Sequence, residues 1–255
     1  MKIAVITGAS SGMGREFALQ LDKAEAFDEL WVIARRADRL EALAADVRAK
    51  LRPLALDLTQ PDSLEAYSAL LEAERPEVAV LVNAGGFGLF GAAADLPLAD
   101  QLRMIDLNDK ALVSMCYRSL PYLGSGSRVY NLGSLSAFQP VPYIGVYAAS
   151  KAFVLSFSRT LNVELRPRGV RVMAVCPGWV RTEFFDTAVR DDSVVTYYNR
   201  WYEAGQVVRR ALRDMGRGKD VSVCGLPIRA QVLAVKLLPH RLVMRTWCRQ
   251  QKKPV

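Results

Sequence analysis

Cysteine is sparse in this chain and scattered where it occurs. Cys116, Cys176, Cys224 and Cys248 form no Cys-x-x-Cys pair, which argues against a disulfide scaffold and for reduced thiols in a cytosolic protein. Long hydrophobic runs are missing as well. No stretch reaches about 18 uninterrupted apolar residues, so no transmembrane helix is expected. The opening Met1-Lys2-Ile3-Ala4-Val5-Ile6 meets Thr7-Gly8-Ala9-Ser10 too soon for a secretory signal, and a cytoplasmic location is expected. Internal repeats, low-complexity tracts and domain linkers are absent too. Histidine occurs once, at His240, where it reads as a helix-end residue without a catalytic part.

What is present is an ordinary globular balance: 255 residues, 51% hydrophobic and 24% charged. That length fits one large α/β domain with a sizeable core. The net charge of +8 is unevenly spread. From Arg200 onward there are thirteen Lys/Arg against three Asp/Glu, leaving 21 against 23 before it. The basic end carries no recognition motif and no aromatic interleaving, so nucleic acid is not an expected partner.

Apolar runs alternate with helical patterns. Lys2–Thr7, Glu29–Ala34, Leu51–Leu56, Val78–Val82, Arg128–Leu132, Val170–Val175 and Val221–Cys224 read as buried parallel strands. Helices are predicted over Gly14–Ala26, Ala37–Lys50, Pro61–Ala73, Leu98–Tyr122 and Val146–Arg166, with Pro61 suited to a first helical turn. The rhythm implies a doubly wound parallel sheet of the Rossmann type, with helices on both faces. Between Val180 and Glu203 the period fails and aromatics mix with polar residues, the mark of a lid or binding loop.

Three places carry chemistry. Thr7-Gly8-Ala9-Ser10-Ser11-Gly12-Met13-Gly14 joins the first strand to the first helix, where glycines admit a pyrophosphate to the backbone and the helix N-terminus. Asn83-Ala84-Gly85 ends the fourth apolar run, beside the crevice where open sheets bind ligands. In Tyr147-Ala148-Ala149-Ser150-Lys151 the tyrosine and lysine share a helix face. A phenol titrates near pH 10 when free, and a neighbouring ammonium is expected to draw it toward neutrality as an acid-base group. Ser134, just past the fifth strand, is placed to hold a substrate carbonyl against Tyr147, and is preferred to Ser136 for that part.

Taken in order, the Thr7–Gly14 turn, Asn83-Ala84-Gly85, Asn108, Ser134, Tyr147-x-x-x-Lys151 and Pro177-Gly178 through Thr182 resemble the motif set of the short-chain dehydrogenases/reductases. The resemblance runs from residue 1 to about 183. It implies a seven-stranded sheet, Tyr147 as acid-base, Lys151 also holding the nicotinamide ribose, and Ser134 orienting the carbonyl. It further implies Asn108 as the anchor of a relay water and Thr182 at the nicotinamide carboxamide. Pro177, Gly178 and Val180 fall with Thr182 in the implied cofactor set. Two departures are small: Val82 and Gly133 stand where many members have Asn and Ser, and neither removes a catalytic group.

The second strand ends at Arg35-Arg36 with no acid for a ribose 2′-hydroxyl, and arginine suits a 2′-phosphate. NADP(H) is therefore the expected cofactor, with NAD(H) as second choice. Asp57, with Leu58 beside it, is expected at the adenine edge. Residues 1–225 form the cofactor-binding and catalytic domain, and 226–255 are a basic amphipathic extension of it. Leu233, Leu237 and Leu238 of this extension are expected to be buried, against a second subunit or over the substrate mouth. Contact with an anionic membrane surface is the other option. The expected activity is hydride transfer between NADP(H) and an apolar secondary alcohol or ketone, steroid-like or lipid-derived, in a homodimer or homotetramer. A catalytically silent cofactor-binding or membrane-surface protein with the same fold is the alternative.

Overall fold

The computed structural model describes residues 1–189 and 194–254. Its strands are β1 (Lys2–Thr7), β2 (Glu29–Ala34), β3 (Lys50–Ala55), β4 (Glu77–Asn83), β5 (Arg128–Leu132), β6 (Arg171–Val175), β7 (Trp179–Arg181), β8 (Trp201–Glu203) and β9 (Val221–Ser222). Seven of them form one sheet in the order β3-β2-β1-β4-β5-β6-β9, with β7 and β8 paired apart from it. Every pairing is parallel. The central runs are apolar at consecutive positions because both faces are covered.

The helices are α1 (Gly12–Ala24), α2 (Ala37–Ala42), α3 (Pro61–Glu74), α4 (Leu98–Ile105), α5 (Leu112–Ser119), α6 (Gly145–Leu165), α7 (Phe184–Ala188), α8 (Ala204–Gly216), α9 (Leu226–Leu237) and α10 (His240–Gln250). Phe17 and Leu21 of α1, Leu40 of α2 and Val207, Val208 and Met215 of α8 pack on Ala4, Ile6, Val32 and Val80. On the other face Tyr67 and Leu71 of α3, Met115 of α5 and Val154 and Leu161 of α6 pack on Val5, Trp31, Ile33 and Leu81. The strand order reverses between β1 and β4, which opens a crevice beyond their carboxyl ends. Among the described residues no helix is long and apolar enough to cross a membrane.

Several boundaries differ from the sequence-based ones. The helix expected over Ala37–Lys50 ends at Ala42, continues as a 3₁₀ turn to Asp46, and gives Lys50 to β3. The cause is buried Asp22, whose carboxylate accepts the backbone N–H groups of Arg48 and Ala49 (2.9 Å each) and draws that segment out of the helix. The expected Leu98–Tyr122 helix holds a π-turn at Asp106–Ala111 and ends in a 3₁₀ turn over Leu120–Tyr122, with Pro121 inside it. Helix α8 has no counterpart among the predicted helices, although its buried Val207, Val208, Ala211 and Met215 follow the helical period. The extension folds into α9 and α10, and within the single chain Leu233, Leu237 and Leu238 are exposed. The opposite face of α9, carrying Ile228, Val232 and Val235, is the one that packs.

Candidate active site

The crevice between β1 and β4 is lined first by the glycine turn. Gly8 has φ 66°, and a Cβ there would lie 2.8 Å from the backbone of Ala84 and Gly85. A Cβ on Gly14 would collide with the Gly8 carbonyl oxygen. Only glycine lets the turn sit this close to the end of β4, and Thr7 Oγ1 fixes the approach by accepting the N–H groups of Ala84 and Gly85 (3.0 Å each).

The resulting groove, about 410 Å³, is walled by Gly8, Ser10, Ser11, Gly12, Met13, Gly14, Arg35, Arg36, Asp57, Leu58, Ala84 and Gly85, and reaches Tyr147, Lys151 and Thr182. Arg36 donates to Ser10 Oγ (3.0 Å) and to Glu183 Oε2 (2.8 Å), and Arg39 donates to Glu183 Oε1 (3.0 Å). These arginines hold the Glu183 carboxyl below the usual range. Burial works to raise the Asp57 carboxyl, but hydrogen bonds from Thr59 and the charges of Arg35 and Arg103 keep it low. A groove with a close-packed glycine turn at one wall and two arginines at its outer end fits a phosphorylated dinucleotide.

Tyr147 and Lys151 lie one turn apart on α6, and Ser134 caps the 3₁₀ turn Leu135–Phe138 that follows β5. Ser134 Oγ accepts the Ser136 N–H (3.2 Å) and is hydrogen-bonded to the Tyr147 phenol. Lys151 Nζ donates to the Leu132 carbonyl (2.8 Å) and stands 5.7 Å from the centre of the Tyr147 ring. Burial brings the lysine down to about 8, against the charges of Asp109 and Cys176, which favour the ammonium. The tyrosine moves opposite to the sequence-based expectation. Burial pushes its phenol up to about 12, with a hydrogen bond to Ser134 only partly opposing it. Desolvation of the phenolate is the larger effect.

The other expected site residues divide. Asn108 sits in the π-turn, fully buried; its Nδ2 donates to the Phe87 carbonyl (2.9 Å) and to Ser150 Oγ (3.1 Å), and its Oδ1 accepts the Phe87 N–H (3.0 Å). It pins residues 86–87 beside α6, and its side chain lines neither cavity. Asn83, expected at the cofactor, is turned inward: its Nδ2 donates to Asn131 Oδ1 (2.8 Å) and Cys116 Sγ (3.2 Å), and it lies outside the groove lining. As the last residue of β4 it alternates with its neighbours, and its side chain falls on the core face.

Pro177, Gly178 and Val180, also expected at the cofactor, face a second cavity of about 350 Å³. Met13, Gly133, Tyr147, Thr182 and Phe184 border both spaces. Ser134 and Tyr147 lie on this second cavity's wall, with Phe90, Trp179, Phe185, Tyr197 and Trp247 among its aromatic residues. Trp179 meets Tyr198 at 4.9 Å and Trp247 at 6.5 Å between ring centres. The Trp247 indole N–H donates to the Pro142 carbonyl (2.9 Å). Among the described residues no charged side chain lines this cavity. Ser136 Oγ and Gln139 Oε1 on its wall are buried polar atoms with no hydrogen-bond partner among the described residues, and Asn199, Gln231 and Gln250 add uncharged polar groups to the lining. The binding loop expected over Val180–Glu203 supplies β7, α7 and β8 here, and its residues 190–193 lie outside the described residues.

Glu183, Gly86 and Trp247 escaped the sequence reading. Gly86 had a signal, since it follows Asn-Ala-Gly directly; a Cβ there would lie 2.8 Å from Asn108 Oδ1. Trp247, about 100 residues from the tyrosine motif, had none.

A parallel sheet with a glycine turn at its switch point and a Tyr/Lys helix beside it defines a dinucleotide-dependent oxidoreductase. The short chain dehydrogenase family model matches residues 2–193, and the chain belongs to that family. It is 39% identical over 188 residues to sulfoacetaldehyde reductase 2 of Chromohalobacter salexigens, covering 71% of this chain and 74% of the relative. A short-chain dehydrogenase from Sphingobium yanoikuyae, solved in complex with NADPH, superimposes with a TM-score of 0.81 at 30% identity over 96% of both chains. The bulky-bulky ketone specific alcohol dehydrogenase from Comamonas testosteroni gives a TM-score of 0.72 at 25% identity, over 98% of this chain and 92% of that one. The protein is an NAD(P)-dependent oxidoreductase acting on CH–OH groups.

Proposed function

We propose that the protein interconverts bulky, uncharged ketones and their secondary alcohols with NADP(H), and that Ser134, Tyr147 and Lys151 carry the proton chemistry. The carrying observation is the aromatic cavity beside Ser134 and Tyr147, with no charged side chain among its described lining residues. Sulfoacetaldehyde, the substrate in one relative's name, carries a sulfonate, and burying an unpaired anion in such a wall costs several kcal/mol. A bulky ketone, the kind of substrate for which the Comamonas enzyme is named, suits this cavity better.

When bound, the nicotinamide cofactor supplies or accepts the hydride. Ser134, held by the Ser136 N–H beside the Tyr147 phenol, donates to the substrate carbonyl oxygen and orients it. Tyr147, with its phenol held near 12, is protonated at neutral pH and donates its proton to that oxygen in reduction; the reverse reaction uses the same group as base. Lys151, near 8 and anchored on Leu132, is cationic at neutral pH and stabilises the phenolate left behind. Asn108 acts by holding residues 86–87 in place. Arg35 and Arg36 would receive the 2′-phosphate.

Because α9 and α10 wall the substrate cavity, residues 226–255 belong to the catalytic domain in this reading. The stacked, partly exposed Phe153 and Phe157 of α6, with exposed Val163, support a homodimer or homotetramer. A cytoplasmic location rests on sequence grounds alone.

The test is a carbonyl panel followed by NADPH and NADH oxidation. Aryl and long-chain ketones should exceed sulfoacetaldehyde in kcat/KM by about 100-fold or more, with NADPH preferred. Preference for a small charged aldehyde would overturn the reading.

A further inference from the structure

Helix α9 has two faces with different surroundings. Ile228, Val232 and Val235 pack into the domain, whereas Leu226, Leu233 and Leu237 are 76%, 61% and 76% exposed. Their spacing, with Ala230 between, puts the three leucines on one stripe of the helix. Leu238 and Leu242 continue the exposed apolar surface around the corner into α10. Residues 226–255 contain seven Lys/Arg and no Asp or Glu. Among the described residues none of these cations forms an ion pair; Lys236 and Lys253 lie over the Phe138 and Tyr143 rings (5.2 and 5.4 Å) and Arg229 donates to the Val223 carbonyl (3.1 Å), while Arg241, Arg245, Arg249 and Lys252 are exposed. The packed side of the same arm is cavity wall, through Gln231, Val235 and Val243.

We propose that the α9–α10 arm is a peripheral contact with an anionic phospholipid surface, and that the substrates are ketones dissolved in that bilayer. The second clause rests on the proposed function; the first does not. Exposed leucines beside exposed long cations are the composition of an interfacial helix. The stems of Arg241, Arg245, Arg249 and Lys252, all exposed, can lie along the apolar surface while their charges reach the headgroups. A protein-binding patch would instead centre on aromatic anchors, and the aromatic residue of this arm, Trp247, is turned inward onto Trp179. The helix that meets the lipid is also a wall of the cavity, so an apolar substrate would have a short path from bilayer to Tyr147.

The experiment is sedimentation of the full-length protein with vesicles of phosphatidylcholine, with and without about one third phosphatidylglycerol. Binding is expected to the mixed vesicles, at least about tenfold weaker to the neutral ones, and to fall as salt rises. Leu233→Asp combined with Leu237→Asp should weaken binding by at least about tenfold, with the thermal transition and turnover of a small water-dissolved ketone unchanged. Equal binding to neutral vesicles, no binding, or full binding by the double variant would overturn the proposal. So would a fall in solution mass on making the double variant, which would show a second copy covering this face. Vesicle binding is read without substrate, so failure of the ketone reading leaves it standing and its own failure is seen separately.

Discussion

Replacing Glu183 by Gln should tighten NADPH binding. The Arg36 guanidinium is shared between Ser10 Oγ and Glu183, and Arg39 reaches the same carboxylate. A 2′-phosphate arriving at Arg36 must compete with that carboxylate and is repelled by it. The side chains of Arg36 and Glu183 are 44% and 39% exposed, so each ion pair is worth only about 0.2–1 kcal/mol. Repulsion of the phosphate in this solvated setting adds on the order of 1 kcal/mol. Discounted for screening, the net gain is about 0.5–1.5 kcal/mol, or roughly a 2- to 12-fold lower Kd for NADPH. NADH lacks the phosphate and should change by less than about twofold. Titration calorimetry at low and high salt checks this, and the gain should shrink as salt rises. NADPH binding that is unchanged or weaker, or an equal gain for NADH, would refute the reasoning.

Asp109 tests the pH dependence of stability. Burial raises its carboxyl to about 6, against the pull of Lys151, and its Oδ1 is buried with no hydrogen-bond partner among the described residues. A carboxyl raised by folding contributes stability below its unfolded value, and that contribution is lost as pH rises through about 6. Asp109→Asn should therefore raise stability by on the order of 1–2 kcal/mol at about pH 8 and by little at about pH 4, read by thermal denaturation across pH. Gln251, 1% exposed, accepts the N–H groups of Thr196 and Tyr197 (2.8 and 2.9 Å) and donates to the Tyr197 carbonyl (3.1 Å). Gln251→Ala should cost about 2–4 kcal/mol in denaturant unfolding and raise KM for bulky ketones, because Tyr197 lines the cavity.

The central sheet was legible because strands covered on both faces must be apolar throughout, as Ile3–Ile6 and Leu30–Ile33 are. The glycine turn and the Tyr147/Lys151 spacing were legible because each is local. What depended on facing was not. Asn83 stands at a strand position where one step of alternation decides between groove and core. The direction of the Tyr147 shift was missed because spacing shows that a lysine is near, but not that desolvation of the phenolate is the larger effect. Contacts between distant segments left no local pattern: Arg36 with Glu183, and Gln251 with Tyr197. Which face of α9 meets the domain was not legible because apolar residues occupy both of its faces. Only the packing of Ile228, Val232 and Val235 shows which face meets the domain.

The most direct test of the account is Tyr147→Phe, assayed for NADPH-dependent reduction of the best ketone alongside NADPH binding. The substitution removes the proton donor and leaves the glycine turn and the Arg36 end of the groove untouched. Turnover should fall by about 10²–10⁴-fold, with the Kd for NADPH within about twofold of the parent protein. Turnover within a few-fold of the parent protein would contradict the account.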